Sequence, residues 1–210
     1  MAVIGHVSGP GNTAETLLIP ALRGFLPTRL SGDAGNIRGV VHDLNRALRE
    51  ASPHSIYATL FLAAIDPERR ELHYVNAGHE PALLVRGEGD RVYRLGSTGT
   101  VLGLTSRAAH GRRTIALEPG DVLATFTEGV VEAADSTGQR FGESGVLQVL
   151  RDHAGAPPRQ LARCLVDAVS RFADRTLPAD DRTVIVVRFR DTLANAVLED
   201  EAAEAAFAAA

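Results

Sequence analysis

Apolar and polar residues follow one another along this chain in patterns that predict a mixed α and β fold. Helical spacing of apolar residues predicts helices after Asn12, from the cap Asn36 to near Ser52-Pro53, after Phe141 and over Pro158–Phe172. Short apolar or alternating runs predict strands over residues 2–5, 57–65, 72–76, 81–86, 91–95, 114–117, 122–126 and 184–189. The run 57–65 is apolar at consecutive positions, which predicts an interior strand covered on both faces.

The rest of the chain is organised around the stretch 117–134. A Pro-Gly turn precedes an apolar strand over 122–126, and Thr127, Glu128 and Gly129 then lead into a helix that the pattern starts near Val130. An acidic side chain is thus expected where a buried strand ends, a position suited to binding a hard cation. The alternative is that Glu128 only caps the helix, whose N-terminus favours a negative charge.

The amino-terminal pattern predicts a strand over 2–5 and a Gly-rich loop over 6–11. Asn12 and Glu15 then open a helix in the manner of a capping box, and Pro20 is expected to kink that helix. A Gly-rich turn before a helix can hold a phosphate, but this one lacks the Lys and the spacing of a P-loop.

Composition narrows the function classes. A chain of 210 residues with 45% hydrophobic residues can build the core of one domain. Its net charge of -4 and pI near 6.0 give no electrostatic footprint for nucleic acid. The single Cys164 cannot form an internal disulfide, and no apolar run is long enough to cross a membrane. We therefore expect a cytoplasmic protein with neither nucleic acid nor membrane as partner.

Several short motifs follow one another in the chain: GHVSGPG at 5–11, YVNAGHEP at 74–81, GTVLGL at 99–104, TFTEGVVEA at 125–133 and DDRT at 180–183. They resemble, in the same order, motifs of the metal-dependent PPM (protein phosphatase 2C-like) serine/threonine phosphatases, in the bacterial branch that includes SpoIIE and RsbU. The YVNAGHEP segment at 74–81 is similar to the family's YVNAGHPP signature, and TFTEGVVEA at 125–133 to its YTDGVVEA-type motif. The remaining matches are GHVSGPG at 5–11 to GDVSGKG, GTVLGL at 99–104 to GxPLGL, the Gly138, Phe141, Gly142 and Leu147 rhythm, and DDRT at 180–183 to DDxT.

The resemblance implies an α+β fold, in which two antiparallel sheets form a β-sandwich flanked by helices on both sides (αββα). It covers residues 1–190, and we expect 191–210 to be an Ala-rich acidic tail. The segment that carries the family's first metal-binding Asp has no counterpart after Met1, so the true start lies upstream or the chain is a truncated relative. Without the first strands, a sheet edge is expected to be open to a partner.

The same resemblance implies a metal site. By position, the implied ligands are Asp180, Glu128, His6 and the backbone carbonyl of Val7. In the family, the residues at these positions hold two Mn²⁺ or Mg²⁺ ions. The implied catalyst is the metal-bound water, with no catalytic side chain beyond it. This chain departs from the family at two ligands, since His6 and Glu128 both stand where the family has Asp.

Two histidines leave alternatives open. His6 either binds Mn²⁺ through its neutral imidazole or is a polar residue left in a decayed metal site. His79 either shuttles protons, as His often does near neutral pH, or shapes the bend between two strands by satisfying backbone groups.

The sequence therefore predicts a phosphatase that acts on phosphoserine or phosphothreonine of a regulatory protein of the anti-anti-sigma type. The alternative is a catalytically inactive relative that serves as a regulatory protein-binding module. A homodimer is left open.

Overall fold

The structure, a computed structural model, describes residues 2–8, 36–51, 57–87, 91–173 and 181–190, with β1 and Ala51 described by their backbone. The helices in these ranges are α1 (Ile37–Ala51), α2 (Glu128–Val131), α3 (Gly142–Asp152) and α4 (Pro158–Phe172). The strands are β1 (Ala2–Ser8), β2 (Tyr57–Asp66), β3 (Glu71–Ala77), β4 (Ala82–Arg86), β5 (Arg91–Leu95), β6 (Arg113–Ala116), β7 (Val122–Phe126) and β8 (Val184–Arg188).

The strands form two four-stranded antiparallel sheets. The first has the order β1-β2-β3-β6, and the second has the order β5-β4-β7-β8. β1 is therefore an edge strand of its sheet within the described residues. The expected α+β sandwich of two antiparallel sheets is confirmed.

Three apolar layers stack through the molecule. Between the sheets, Phe61 and Tyr74 from the first sheet pack with Leu84 and Leu123 from the second, and the rings of Phe61 and Tyr74 stack at 5.8 Å. The outer face of the first sheet packs on α1, and the outer face of the second sheet packs on α3 and α4. Because helices cover both outer faces and the inner faces cover each other, the central strands β2 and β7 are apolar at successive positions.

The prediction for β2 as an interior strand is confirmed. Leu60 and Leu62 face α1, whereas Phe61 and Ala63 face the second sheet, and all four are at most 1% exposed. The predicted bounds of β5, β7 and α4 are the observed ones, and the other described elements differ by a few residues at one or both ends.

Two local predictions were wrong. His6 and Val7 lie in β1 and not in a loop, because the strand continues to Ser8 by pairing with Tyr57, Ala58 and Thr59 of β2. The helix predicted from Val130 begins at Glu128.

Other predictions lie outside the described residues: the Gly-rich loop beyond Ser8, the capped helix after Asn12 with its kink at Pro20, and the 191–210 tail. Of the helices that the structure does describe, none combines the length and the apolar composition needed to cross a membrane.

Candidate metal centre

The turn that follows β7 carries the first predicted ligand. All five residues of β7 are buried, and the chain reaches the surface at Glu128, which is the first residue of α2. Glu128 is therefore not the residue that caps this helix; Thr127 occupies that position. The carboxylate of Glu128 lies in the first helical turn, where a negative charge is favourable, and it is exposed enough to meet a cation from solvent.

The DDRT segment lies beside this turn. β7 and β8 are antiparallel, with Phe126 opposite Val184, so the residues after β7 and those before β8 meet at one end of the second sheet. Three hydrogen bonds join them: Thr127 donates its amide to the Thr183 carbonyl (3.1 Å) and its hydroxyl to the Asp181 carbonyl (2.7 Å), and the Thr183 amide donates to the Thr127 hydroxyl (2.9 Å). The predicted ligand Asp180 lies outside the described residues, directly before this bonded segment.

The backbone of β1 presents the Val7 carbonyl away from β2. Val7 pairs with Ala58, but Ala58 directs both its amide and its carbonyl to Leu102, at 3.0 and 2.8 Å. In an antiparallel ladder the amide and carbonyl of one residue point to the same side, so Val7 and Ala58 form a non-hydrogen-bonded pair. The Val7 carbonyl is therefore directed toward the outer edge of the sheet, as a ligand would need. The side chain of His6, opposite Thr59, lies outside what the structure describes.

His79 connects the start of β2 with the bend after β3. Its Nδ1 lies 2.9 Å from the hydroxyl of Thr59, the residue that pairs with His6. Its backbone amide donates to the side-chain oxygen of Asn76 (2.8 Å), and the Asn76 amide group donates to the Leu95 carbonyl (3.1 Å). These contacts support the interpretation that His79 shapes the bend.

Sequence reasoning missed Glu80. Partial burial raises the pKa of Glu80, and the charges of Glu128 and then Glu132 raise this pKa further. Glu143 adds a smaller repulsion, although it pairs with Arg94 at 2.7 Å. The one signal in the sequence was an acidic residue at the position where the family signature has Pro.

The donor chemistry of the described ligand candidates suits a hard divalent cation. The Glu128 carboxylate and the Val7 carbonyl are both oxygen donors, the type that Mg²⁺ and Mn²⁺ prefer. Burial is the main cause of the raised pKa of Glu80, and the neighbouring charges of Glu128 and Glu132, which add to it, also favour a bound cation. Within the described residues, no three His, Cys, Asp or Glu side chains form a complete ligand group by themselves.

Residues 1–190 match the family described as stage II sporulation protein E (SpoIIE). Among curated proteins, the chain is 29% identical over 150 residues to the phosphoserine phosphatase RsbU of Bacillus subtilis, covering 71% of this chain and 44% of RsbU. The chain spans less than half the length of the curated relatives that it matches.

Solved structures share the fold. The SiaA-PP2C domain of Pseudomonas aeruginosa matches with a TM-score of 0.75 at 22% identity, over 89% of this chain and 75% of that one. The catalytic domain of the serine/threonine protein phosphatase PstP, solved with two manganese ions, matches with a TM-score of 0.68 at 17% identity, over 90% and 87%. The chain therefore belongs to the SpoIIE family, in the RsbU branch of the PPM-type serine/threonine phosphatases.

Proposed function

We propose that this chain is a metal-dependent protein serine/threonine phosphatase domain that removes phosphate from phosphoserine or phosphothreonine of a regulatory protein. The observation that carries the proposal is the bonded pair of turns at one end of the second sheet. There, the Glu128 turn lies against the segment that directly follows Asp180. The name of the relative RsbU, a phosphoserine phosphatase, supports the substrate class, and the regulatory protein is proposed to be of the anti-anti-sigma type.

In this proposal Asp180, Glu128, His6 and the Val7 carbonyl would hold two Mn²⁺ or Mg²⁺ ions. When bound, such ions neutralise phosphate charge and lower the pKa of a water, which can then attack phosphorus. The chain supplies orientation: β7 and β8 hold the Glu128 turn and the segment 181–183 together, and β1 directs the Val7 carbonyl away from β2. No side-chain proton shuttle is required, in agreement with the structural contacts of His79.

The proposal is tested by hydrolysis of an aryl phosphate and of a phosphoserine peptide with and without Mn²⁺. Loss of a partner that only orients a metal ligand costs roughly 10–100-fold, so Asp180→Ala, which removes a ligand, should cost at least as much. Asp181→Ala is the matched control, because the described contact of Asp181 uses its backbone carbonyl and its side chain is exposed. Equal losses in both variants would argue against Asp180 as a ligand.

The second candidate is an inactive relative that binds a regulatory protein. It is favoured by the replacement of two family aspartates by His6 and Glu128. The additional methylene of Glu displaces its carboxylate by more than the roughly 0.5 Å that a working site tolerates. The double variant His6→Asp with Glu128→Asp separates the two candidates. Wild-type activity supports the phosphatase, whereas inactivity of the wild type at millimolar Mn²⁺ supports the binding module. Activity gained only by the double variant would attribute that inactivity to the two replaced aspartates.

A further inference from the structure

The hydroxyl of Thr127 joins two turns that are far apart in the sequence. It donates to the Asp181 carbonyl at 2.7 Å and accepts from the Thr183 amide at 2.9 Å, so both functions of the hydroxyl are directed to the same three-residue segment. Thr127 is only 5% exposed, which keeps water from competing for these bonds.

The Thr127 hydroxyl makes these bonds in place of the capping bond that a threonine usually makes at the start of a helix. Thr127 is the N-cap of α2, and an N-cap threonine normally accepts a hydrogen bond from an amide in the first turn of its own helix. Here the side chain makes no such bond, and the Val130 amide bonds to the Thr127 carbonyl instead. The hydroxyl therefore serves the contact between the two turns and not the helix.

Thr125 provides an internal comparison. It lies two residues earlier, on the same face of β7, and is 0% exposed. Its hydroxyl has no hydrogen-bond partner in the part of the chain that the structure describes. A buried threonine in this strand can therefore leave its hydroxyl unsatisfied, whereas the hydroxyl of Thr127 is satisfied as both donor and acceptor.

We propose that Thr127 is a positioning residue, whose hydroxyl holds the segment 181–183 against the Glu128 turn and thereby sets the affinity for the divalent cation. Only the second half of this proposal, the effect on cation affinity, rests on the metal site proposed above. Ligands must be held within about 0.5 Å of their productive positions, and a group that orients a ligand affects metal affinity almost as strongly as the ligand does.

The test compares Thr127→Val, Thr127→Ser and Thr125→Val by three measurements. Amide hydrogen exchange at Thr183 in the metal-free protein reports the bond itself, Mn²⁺ titration calorimetry reports affinity, and thermal unfolding reports the fold. Thr127→Val should raise exchange at Thr183 about tenfold, because that amide loses its acceptor. It should also weaken Mn²⁺ binding by roughly 10–100-fold. Thr127→Ser keeps the hydroxyl and should restore both, and Thr125→Val should change neither.

The outcomes separate this inference from the proposed function. Faster exchange at Thr183 in Thr127→Val, together with a wild-type protein that binds no Mn²⁺, would support the positioning role and overturn the metal site. Unchanged exchange at Thr183, or Mn²⁺ affinity reduced equally in Thr127→Ser and Thr125→Val, would overturn the positioning role. If Thr127→Val does not fold, Thr127→Ser and Thr127→Ala are compared instead. Wild-type values of Thr183 exchange and Mn²⁺ affinity in Thr127→Ser, with altered values in Thr127→Ala, would support the positioning role. Equal values in the two variants would contradict it.

Discussion

At the residue scale, a buried ion cluster surrounds Arg86, away from the candidate site. Its guanidinium makes two-pronged hydrogen bonds to Asp121, at 2.8 to 3.2 Å, and a further bond to Glu118 at 2.7 Å. Asp121 raises the pKa of Arg86, so the cation is retained despite its burial. Asp121 is 1% exposed and also accepts the Glu118 amide, which closes the turn before β7.

We expect Arg86→Met to lower the free energy of unfolding by about 3–5 kcal/mol, because it leaves a buried carboxylate without its counter-charge. Arg91→Met is the control: Arg91 pairs with Glu118 at the exposed surface, and its loss should cost less than about 1 kcal/mol. Urea unfolding measures both values. Adding Asp121→Leu to Arg86→Met should recover much of the loss, and no recovery would contradict the explanation by an unpaired charge.

At the element scale, α1 is tied to the loop that carries the GTVLGL segment. The side-chain oxygen of Asn45 accepts the Gly103 amide at 2.9 Å, and its amide group donates to the Thr105 carbonyl at 3.2 Å. In the same loop, Leu102 pairs through its backbone with Ala58 at the start of β2. Since Ala58 is thereby unavailable to Val7, the loop also determines which way the Val7 carbonyl points.

Asn45→Leu should therefore loosen this loop while α1 stays packed on its sheet. The variant leaves an amide and a carbonyl without their protein partner, and we expect a loss of about 1–2 kcal/mol in the free energy of unfolding. Amide exchange at Gly103 should rise in parallel. The control is Arg46→Ala, at the next position of the helix, where an exposed ion pair at 3.7 Å to Asp43 should contribute less than about 1 kcal/mol. Equal effects in the two variants would contradict the assignment.

At the scale of the whole molecule, the proposed metal site would take ligands from both sheets. β1 and β2 belong to the first sheet, and β7 and β8 belong to the second. His79 and Glu80 lie on the connection from one sheet to the other, between β3 and β4. A cation held by groups from both sheets would bind the folded state alone and would stabilise the whole domain.

Mn²⁺ should therefore raise the melting temperature. At a free concentration 100 times the Kd, one bound ion adds about 2.7 kcal/mol, which corresponds to roughly 5–10 °C for a domain of this size. Differential scanning calorimetry with increasing Mn²⁺ measures the shift. Asp181→Ala should retain this shift in melting temperature, and Asp180→Ala should lose most of it. A wild-type melting temperature that does not change with Mn²⁺ would contradict metal binding by the folded domain.

Local pattern alone was sufficient for much of the architecture. Burial on both faces of β2, the bounds of α4 and the order of the motifs follow from residues that are neighbours in the sequence, because helical and strand periodicities are local properties. The same local view was wrong for His6 and Val7, where Gly-rich composition indicated a loop. Pairing with β2 extends the strand to Ser8, and pairing is decided by a segment 50 residues away.

The sequence by itself determined the family, the two-sheet fold and the identity of the candidate ligands, since these depend on residue types in a fixed order. Only the tertiary structure decided which groups meet. The Thr127 hydroxyl reaches residues 54 to 56 positions away, burial and the charge of Glu128 raise the pKa of Glu80, and the Val7 carbonyl points away from β2 because Ala58 pairs with Leu102. Each of these depends on strand register between distant segments, which shifts every contact when it changes by one residue and leaves no trace in local periodicity.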